Sequence, residues 1–156
     1  MALEILAQDP SIEVIVCPVG GGGLVSGLAI AAGDRAATWG VETEASCPFT
    51  RSLAAGRIVA IDVKPSLADG LVGNLDPETI TFDLVRQNVA GITTVSEEQV
   101  VRTFRQLIAE ERLITEGAAA VGVAGVATGR VPIAGRRTAV VLTGANIDLD
   151  TLRQLI

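Results

Sequence analysis

Val14-Ile15-Val16-Cys17-Pro18-Val19-Gly20-Gly21-Gly22-Gly23-Leu24 is the stretch that decides the fold. The β-branched run from Ile12 to Cys17 reads as a buried strand. Four glycines follow, and Leu24 to Ala32 then reads as a helix closed by Gly33-Asp34. Glycine permits backbone conformations closed to other residues, and it lets a ligand approach main-chain N–H groups with no Cβ in the way. The first turn of a helix adds unpaired N–H donors and a partial positive charge. In parallel α/β folds, ligands gather outside the carboxyl ends of the strands. These arguments converge on an anion, a phosphate, held at Gly20, Gly21, Gly22, Gly23 and Leu24. A plain turn without a ligand is the competing reading. Against it stands the entropy lost in ordering four glycines that nothing else needs.

Other phosphate loops fit this run poorly. No offset of it supplies the GxGxxG of a dinucleotide fingerprint. Gly22 and Gly27 have Walker spacing, but Leu28 stands where that loop needs lysine.

Working outward, Leu3 to Ala7 reads as the end of a helix closed by Asp9-Pro10. Thr38 to Glu42 reads as a strand and Phe49 to Ala55 as a short helix stopped by Gly56. Ile58 to Pro77 is irregular, with loop signals at Lys64-Pro65, Gly70, Gly73 and Asp76-Pro77. A helix over Glu78 to Asn88 precedes a strand at Ile92 to Val95. Ser96-Glu97-Glu98-Gln99 is a capping box, and the helix behind it shows one apolar face. Glu98 and Arg102 are spaced for an ion pair. Thr115 is placed to cap a helix over Ala118 to Thr128. Thr138 to Leu142 is the last strand, and Asp148 to Ile156 the last helix. The alternation predicts an α/β fold: one three-layer α-β-α domain over residues 1–156, with a mostly parallel sheet of about four strands.

Composition narrows the function. The 156 residues carry a net charge of −6, which argues against nucleic acid and against an anionic membrane surface. No apolar run reaches the ~18 residues of a membrane span. The N-terminus lacks the pattern of a signal peptide, so Cys17 and Cys47 are expected to be reduced thiols in a cytoplasmic protein. The absence of histidine removes Ser-His-Asp and Cys-His catalysis and most zinc sites. Lys64 is the only lysine. Hydrophobic residues make up 49% of the chain, which predicts a surface that meets another domain or subunit.

Pro18-Val19-Gly20-Gly21-Gly22-Gly23-Leu24 followed by Ser26-Gly27 resembles the phosphate cup of the fold-type II pyridoxal-phosphate enzymes, nearest to the threonine and serine dehydratases and serine racemases. Four further segments match in the family's order. Gly40-Val41-Glu42 resembles its strand-plus-acid segment and Ala68-Asp69-Gly70-Leu71 its Ala-Asp-Gly loop. Glu116-Gly117-Ala118-Ala119 resembles its helix start, and Thr143-Gly144-Ala145-Asn146 its Ser-Gly-Gly-Asn turn. The resemblance covers essentially the whole chain.

The resemblance implies pyridoxal 5'-phosphate as cofactor and β-elimination from a hydroxy-amino acid as the family reaction. Gly20 to Leu24 would donate to the cofactor phosphate. Thr143, where the family has serine, would pair its hydroxyl with the pyridine nitrogen. Ala145 replaces the second glycine at the ring edge. Glu42 matches an acid of a divalent-cation site, but Ser46-Cys47-Pro48 stands where the later acid is expected, so no metal site is expected. Read without the family, Thr143 has the competing reading of a strand end, Glu42 and Glu44 are solvated strand-end acids, Glu116 is equally a helix-start charge or a site residue, and Asp69 is a turn former.

In the family, the Schiff-base lysine and a smaller domain lie before the glycine run, so both are expected to be absent here, leaving no catalytic residue in this chain. Lys64, in a proline-flanked loop, reads as a surface lysine. Two functions follow. One is a threonine/serine dehydratase-like cofactor domain, inactive alone and completed by an N-terminal partner chain. The other is a non-catalytic module that binds a phosphate-bearing ligand or the cofactor without a covalent bond, or self-associates as a homo-oligomer.

Overall fold

The computed structural model describes all of residues 1–156. Its elements run α1 (Ala2–Gln8), β1 (Val14–Pro18), α2 (Gly23–Ala32), β2 (Ala37–Thr43), α3 (Pro48–Ala55), α4 (Thr81–Asn88), β3 (Gly91–Val95), α5 (Glu97–Ala109), α6 (Gly117–Ala127), β4 (Thr138–Val140) and α7 (Leu149–Leu155). Single turns of 3-10 helix occupy Gly33–Arg35 and Asp69–Leu71. The four strands form one sheet in the order β3-β2-β1-β4, every neighbouring pair parallel.

Side-chain alternation along β1 divides the core. Ile15 and Cys17 join Leu6, Val25, Leu28, Phe49 and Val85 on one face of the sheet. Val14 and Val16 join Val100, Phe104, Val121 and Ala124 on the other. All five β1 residues are buried, as a central strand covered by helices requires. The fold is therefore the three-layer α-β-α arrangement expected, with a wholly parallel sheet. No helix is long and apolar enough to cross a membrane.

The strand order creates the site. From β1 the chain builds outward through β2 and β3, then returns to the opposite side of β1 for β4. Strand direction of growth reverses between β1 and β4, which opens a crevice at their carboxyl ends.

The capping box forms as expected: Ser96 Oγ accepts from Gln99 N–H, and Gln99 Oε1 accepts from Ser96 N–H at 2.9 Å. Ser96→Ala is expected to cost about 1 kcal/mol, read as a lower urea midpoint with an unchanged slope.

Several boundaries differ from the sequence reading. Helix α4 starts at Thr81 rather than Glu78, because Asp76 and Thr79 take the backbone N–H groups of Glu78 and Thr81 in turns. Glu98 and Arg102 form no ion pair; the pairs present are Met1–Glu4, Asp83–Arg86, Asp9–Arg137 and Asp150–Arg153, all substantially exposed. Thr115 does not cap α6: Glu116 is the N-cap, its side chain makes no cap hydrogen bond, and the buried Thr115 hydroxyl has no partner. Strand β4 is three residues long, not five. In this register the next donor to β4 would be residue 18, and Pro18 has no N–H.

Candidate functional site

The glycine turn joins β1 to α2 at the crevice. Gly22 is the N-cap of α2 with a left-handed backbone, φ +81° and ψ −7°, which glycine adopts without strain. A Cβ there would lie 2.8 Å from Phe49 Cε2 and 3.1 Å from Thr81 Cβ, so both conformation and space demand glycine. The carbonyls of the turn are tied back into the protein. Ser26 Oγ donates to Gly22 O at 2.8 Å, and Thr81 Oγ1 donates to Gly21 O at 2.8 Å. The N–H groups are left over: from Gly20 through Leu24 none donates to a backbone carbonyl. Where α5 has Ser96 as a cap, α2 has a glycine with no side chain to occupy its first donors.

Gly21 and Gly23 differ from Gly22. Neither has positive φ, and a Cβ on either would meet nothing within 4 Å. Nothing inside the protein requires glycine at these two positions, so the space they leave open is a cradle facing outward.

That cradle is one wall of a cavity of about 260 Å³. Gly20 to Leu24 line it together with Gly70, Leu71, Glu116 and Thr143. Segments read from the sequence as separate motifs thus converge: the glycine run, the Ala-Asp-Gly loop, the α6 start and the turn after β4. Thr143 is exposed and follows β4, on the cavity wall. Ala145 does not line the cavity. Asp69 is exposed and accepts from Gly70 N–H, the turn role read for it. It also lines a second, polar cavity of about 140 Å³, which shares Glu116 with the first.

Gly40-Val41-Glu42 does not join the site, and Glu42 corrects the sequence reading. It is fully buried rather than solvated. Its carboxylate accepts from Phe49 N–H at 2.8 Å, Thr50 N–H at 2.8 Å and Thr50 Oγ1 at 2.6 Å, capping the start of α3. Burial pushes its carboxyl above the usual carboxylate range, and these three hydrogen bonds oppose the rise. Glu42 thereby holds α3, whose Phe49 supports Gly22. Glu44 is exposed. No group of three or more His, Cys, Asp or Glu residues is placed to hold a metal ion. Cys17 and Cys47 are both free and buried, and burial pushes the Cys17 thiol up to about 12. Lys64 is exposed in an extended segment, its backbone N–H bonded to Ala45 O, and does not line the cavity.

Sequence reasoning missed Thr81 and Phe49. Ser26 lay inside the quoted motif, four residues after Gly22 and on the same helical face, so its hydroxyl contact was within reach. Thr81 lies 60 residues from Gly21, and no local pattern points to it.

Known proteins resemble this chain along nearly its whole length. The profile of a family described as "Pyridoxal-phosphate dependent enzyme" matches residues 1–144. An L-threonine ammonia-lyase of Thermotoga maritima is 36% identical over 159 aligned positions, covering 100% of this chain and 39% of the relative. An L-threo-3-hydroxyaspartate ammonia-lyase of Saccharomyces cerevisiae is 32% identical, covering 99% of this chain and 48% of the relative. Among solved structures, maize serine racemase superposes with a TM-score of 0.87 at 28% identity, covering 98% of this chain and 49% of that one. Threonine deaminase isoform 2 of Solanum lycopersicum gives 0.87 at 27% identity, covering 99% and 46%. The chain spans 39% to 48% of the length of the curated relatives it matches here.

Proposed function

The chain belongs to the pyridoxal-phosphate dependent enzymes, and from that premise we propose that it is the cofactor-binding domain of a threonine/serine ammonia-lyase. The observation that carries the reading is the cradle at Gly21 and Gly23: two glycines without positive φ and without a neighbour, beside a row of unused N–H donors. A phosphate accounts for both, because it needs donors and cannot tolerate a Cβ between itself and them. Pyridoxal phosphate, when bound, supplies the electron sink that lets a hydroxy-amino acid lose its α-proton and β-hydroxyl.

The residues of this chain bind and orient. Gly20 to Leu24 donate main-chain N–H groups to the phosphate. The positive end of α2 faces the same point, with no acidic side chain in its first turn to offset it. Thr143 offers a neutral hydroxyl to the pyridine nitrogen, which keeps the ring less electron-withdrawing than a carboxylate partner would. Leu71 and Ala118 supply apolar wall on which an aromatic ring packs.

No amine of this chain reaches the cavity, since Lys64 is elsewhere. These residues therefore retain the cofactor without a covalent bond, and a lysine to anchor it and move protons comes from outside them. The same observation favours a second reading, a phosphate-binding module with no catalysis. One experiment separates the possibilities. Purified protein is mixed with pyridoxal phosphate, its visible spectrum recorded, and any adduct located by mass after borohydride reduction. The expected result is a cofactor that dialysis removes, no specific adduct on Lys64 and no ammonia from threonine. A stable Lys64 adduct with ammonia release would overturn non-covalent retention. Ammonia release only after adding a lysine-bearing N-terminal polypeptide would decide for the lyase domain over the module.

A further inference from the structure

Four acidic residues of the chain are not exposed: Asp9, Glu42, Glu97 and Glu116. Three of them have protein donors. Asp9 accepts from Ser11 and Arg137, Glu42 from Phe49 and Thr50, and Glu97 from Ser66 and Leu67. Glu116 is the exception: its half-buried carboxylate accepts no hydrogen bond from the protein. Its position at the start of α6 does not explain it, because the side chain makes no cap bond there, whereas Ser96 and Asp148 cap α5 and α7.

The surrounding backbone makes room for this carboxylate. Glu116 N–H donates to Gly144 O at 3.0 Å, which fixes the start of α6 against the turn that carries Thr143. The carboxylate then lies across Gly144: a Cβ at 144 would sit 2.6 Å from Oε2 and 2.8 Å from Oε1. Both cavities are lined by Glu116. The larger one is therefore bipolar, with free N–H donors at the glycine turn and an unpaired carboxylate on another wall. No protein donor competes for this carboxylate, so a ligand that brings a positive group gains a charge-assisted hydrogen bond there.

We propose that Glu116 is the charge-selecting residue of this cavity, taking a cationic group on a ligand whose phosphate occupies the glycine turn. This rests on the reading of that turn as a phosphate cup. The ligand class is a phosphate ester that also carries an ammonium, such as an amine form of the cofactor. A neutral ester of the same shape leaves the carboxylate unpaired and binds less well. Gly144 is the supporting position: a side chain there displaces the carboxylate.

Calorimetry with three probes tests this: inorganic phosphate, pyridoxine 5'-phosphate (neutral beyond its phosphate and ring) and pyridoxamine 5'-phosphate, which adds an ammonium. Neither vitamer has an aldehyde to react with Lys64. The wild-type protein is expected to prefer the amine over the alcohol by about tenfold, the worth of one charge-assisted hydrogen bond. Glu116→Gln, which keeps the shape, is expected to erase that preference and to leave inorganic phosphate binding within about twofold. Gly144→Ala is expected to weaken the preference in the same direction without touching the carboxylate's chemistry. An unchanged preference in Glu116→Gln, with all probes still binding, overturns the role of Glu116 alone. No binding of any probe to the wild-type protein overturns the phosphate cup and this inference with it.

Discussion

Gly22→Ala is expected to cost about 3 kcal/mol of stability, from two sources. The left-handed backbone at φ +81° penalises any Cβ by roughly 1–2 kcal/mol. The new Cβ also meets the Phe49 ring, with Cε2 at 2.8 Å, and overpacking of this kind costs about 1–3 kcal/mol. Phe49 is completely buried and cannot swing away. Gly21→Ala and Gly23→Ala are expected to behave in the opposite manner. Their Cβ atoms enter open space, so stability falls by less than about 1 kcal/mol, while phosphate affinity falls at least about tenfold. Urea denaturation and phosphate calorimetry on the three variants check this. Equal loss of stability at all three positions would refute the division between a strained support and an open cradle.

The second large effect is expected at Glu42. Glu42→Ala leaves the Phe49 and Thr50 N–H groups without acceptors inside the protein and opens a void, for a cost of about 3 kcal/mol. The conservative Glu42→Gln isolates the pH dependence. Burial raises the folded-state pKa of Glu42 above its ordinary 4.5. The contribution of a group shifted upward is complete below the unfolded value and is lost as pH rises through the folded value. Glutamine does not titrate. Its destabilisation relative to wild type is therefore expected to be greatest below pH 4.5 and to shrink as pH rises above it. Denaturation midpoints of the two proteins across that window give the answer. A gap that widens with pH would mean that the hydrogen bonds outweigh burial.

What could be read from the sequence was what local chemistry controls. The glycine turn, the Ser96 box and the β1 strand each announce themselves within a few residues, because backbone freedom, capping and β-branching act over that range. Their order along the chain was enough to specify a parallel three-layer fold. Glu42 was misread for the converse reason. A glutamate at a strand end looks solvated until α3 returns over it, and only the folded chain brings Phe49 N–H and Thr50 N–H to its oxygens. The failed Glu98–Arg102 pair belongs with it: an exposed pair at helical spacing is worth so little that spacing alone does not form it. Glu116 shows a third case. The sequence could not distinguish a helix-start charge from a site residue, since the difference lies in which donors are missing around it.

The seam between β1 and β4 pairs residues 14–16 with residues 138–140. While the chain is being made, β1, β2 and β3 can associate early, leaving one side of β1 bare until the last strand emerges. Contacts of such long sequence separation close late and slowly. The cavity spans that seam, with the glycine turn on its first-made side and Thr143 on its last-made side. A half-synthesised chain can form the turn but not the cavity. A ligand that touches both sides holds the first strand to the last and draws the equilibrium toward the finished sheet by mass action. A ligand bound there would thus act as a clasp across the β1–β4 seam, and its binding would raise the stability of the sheet.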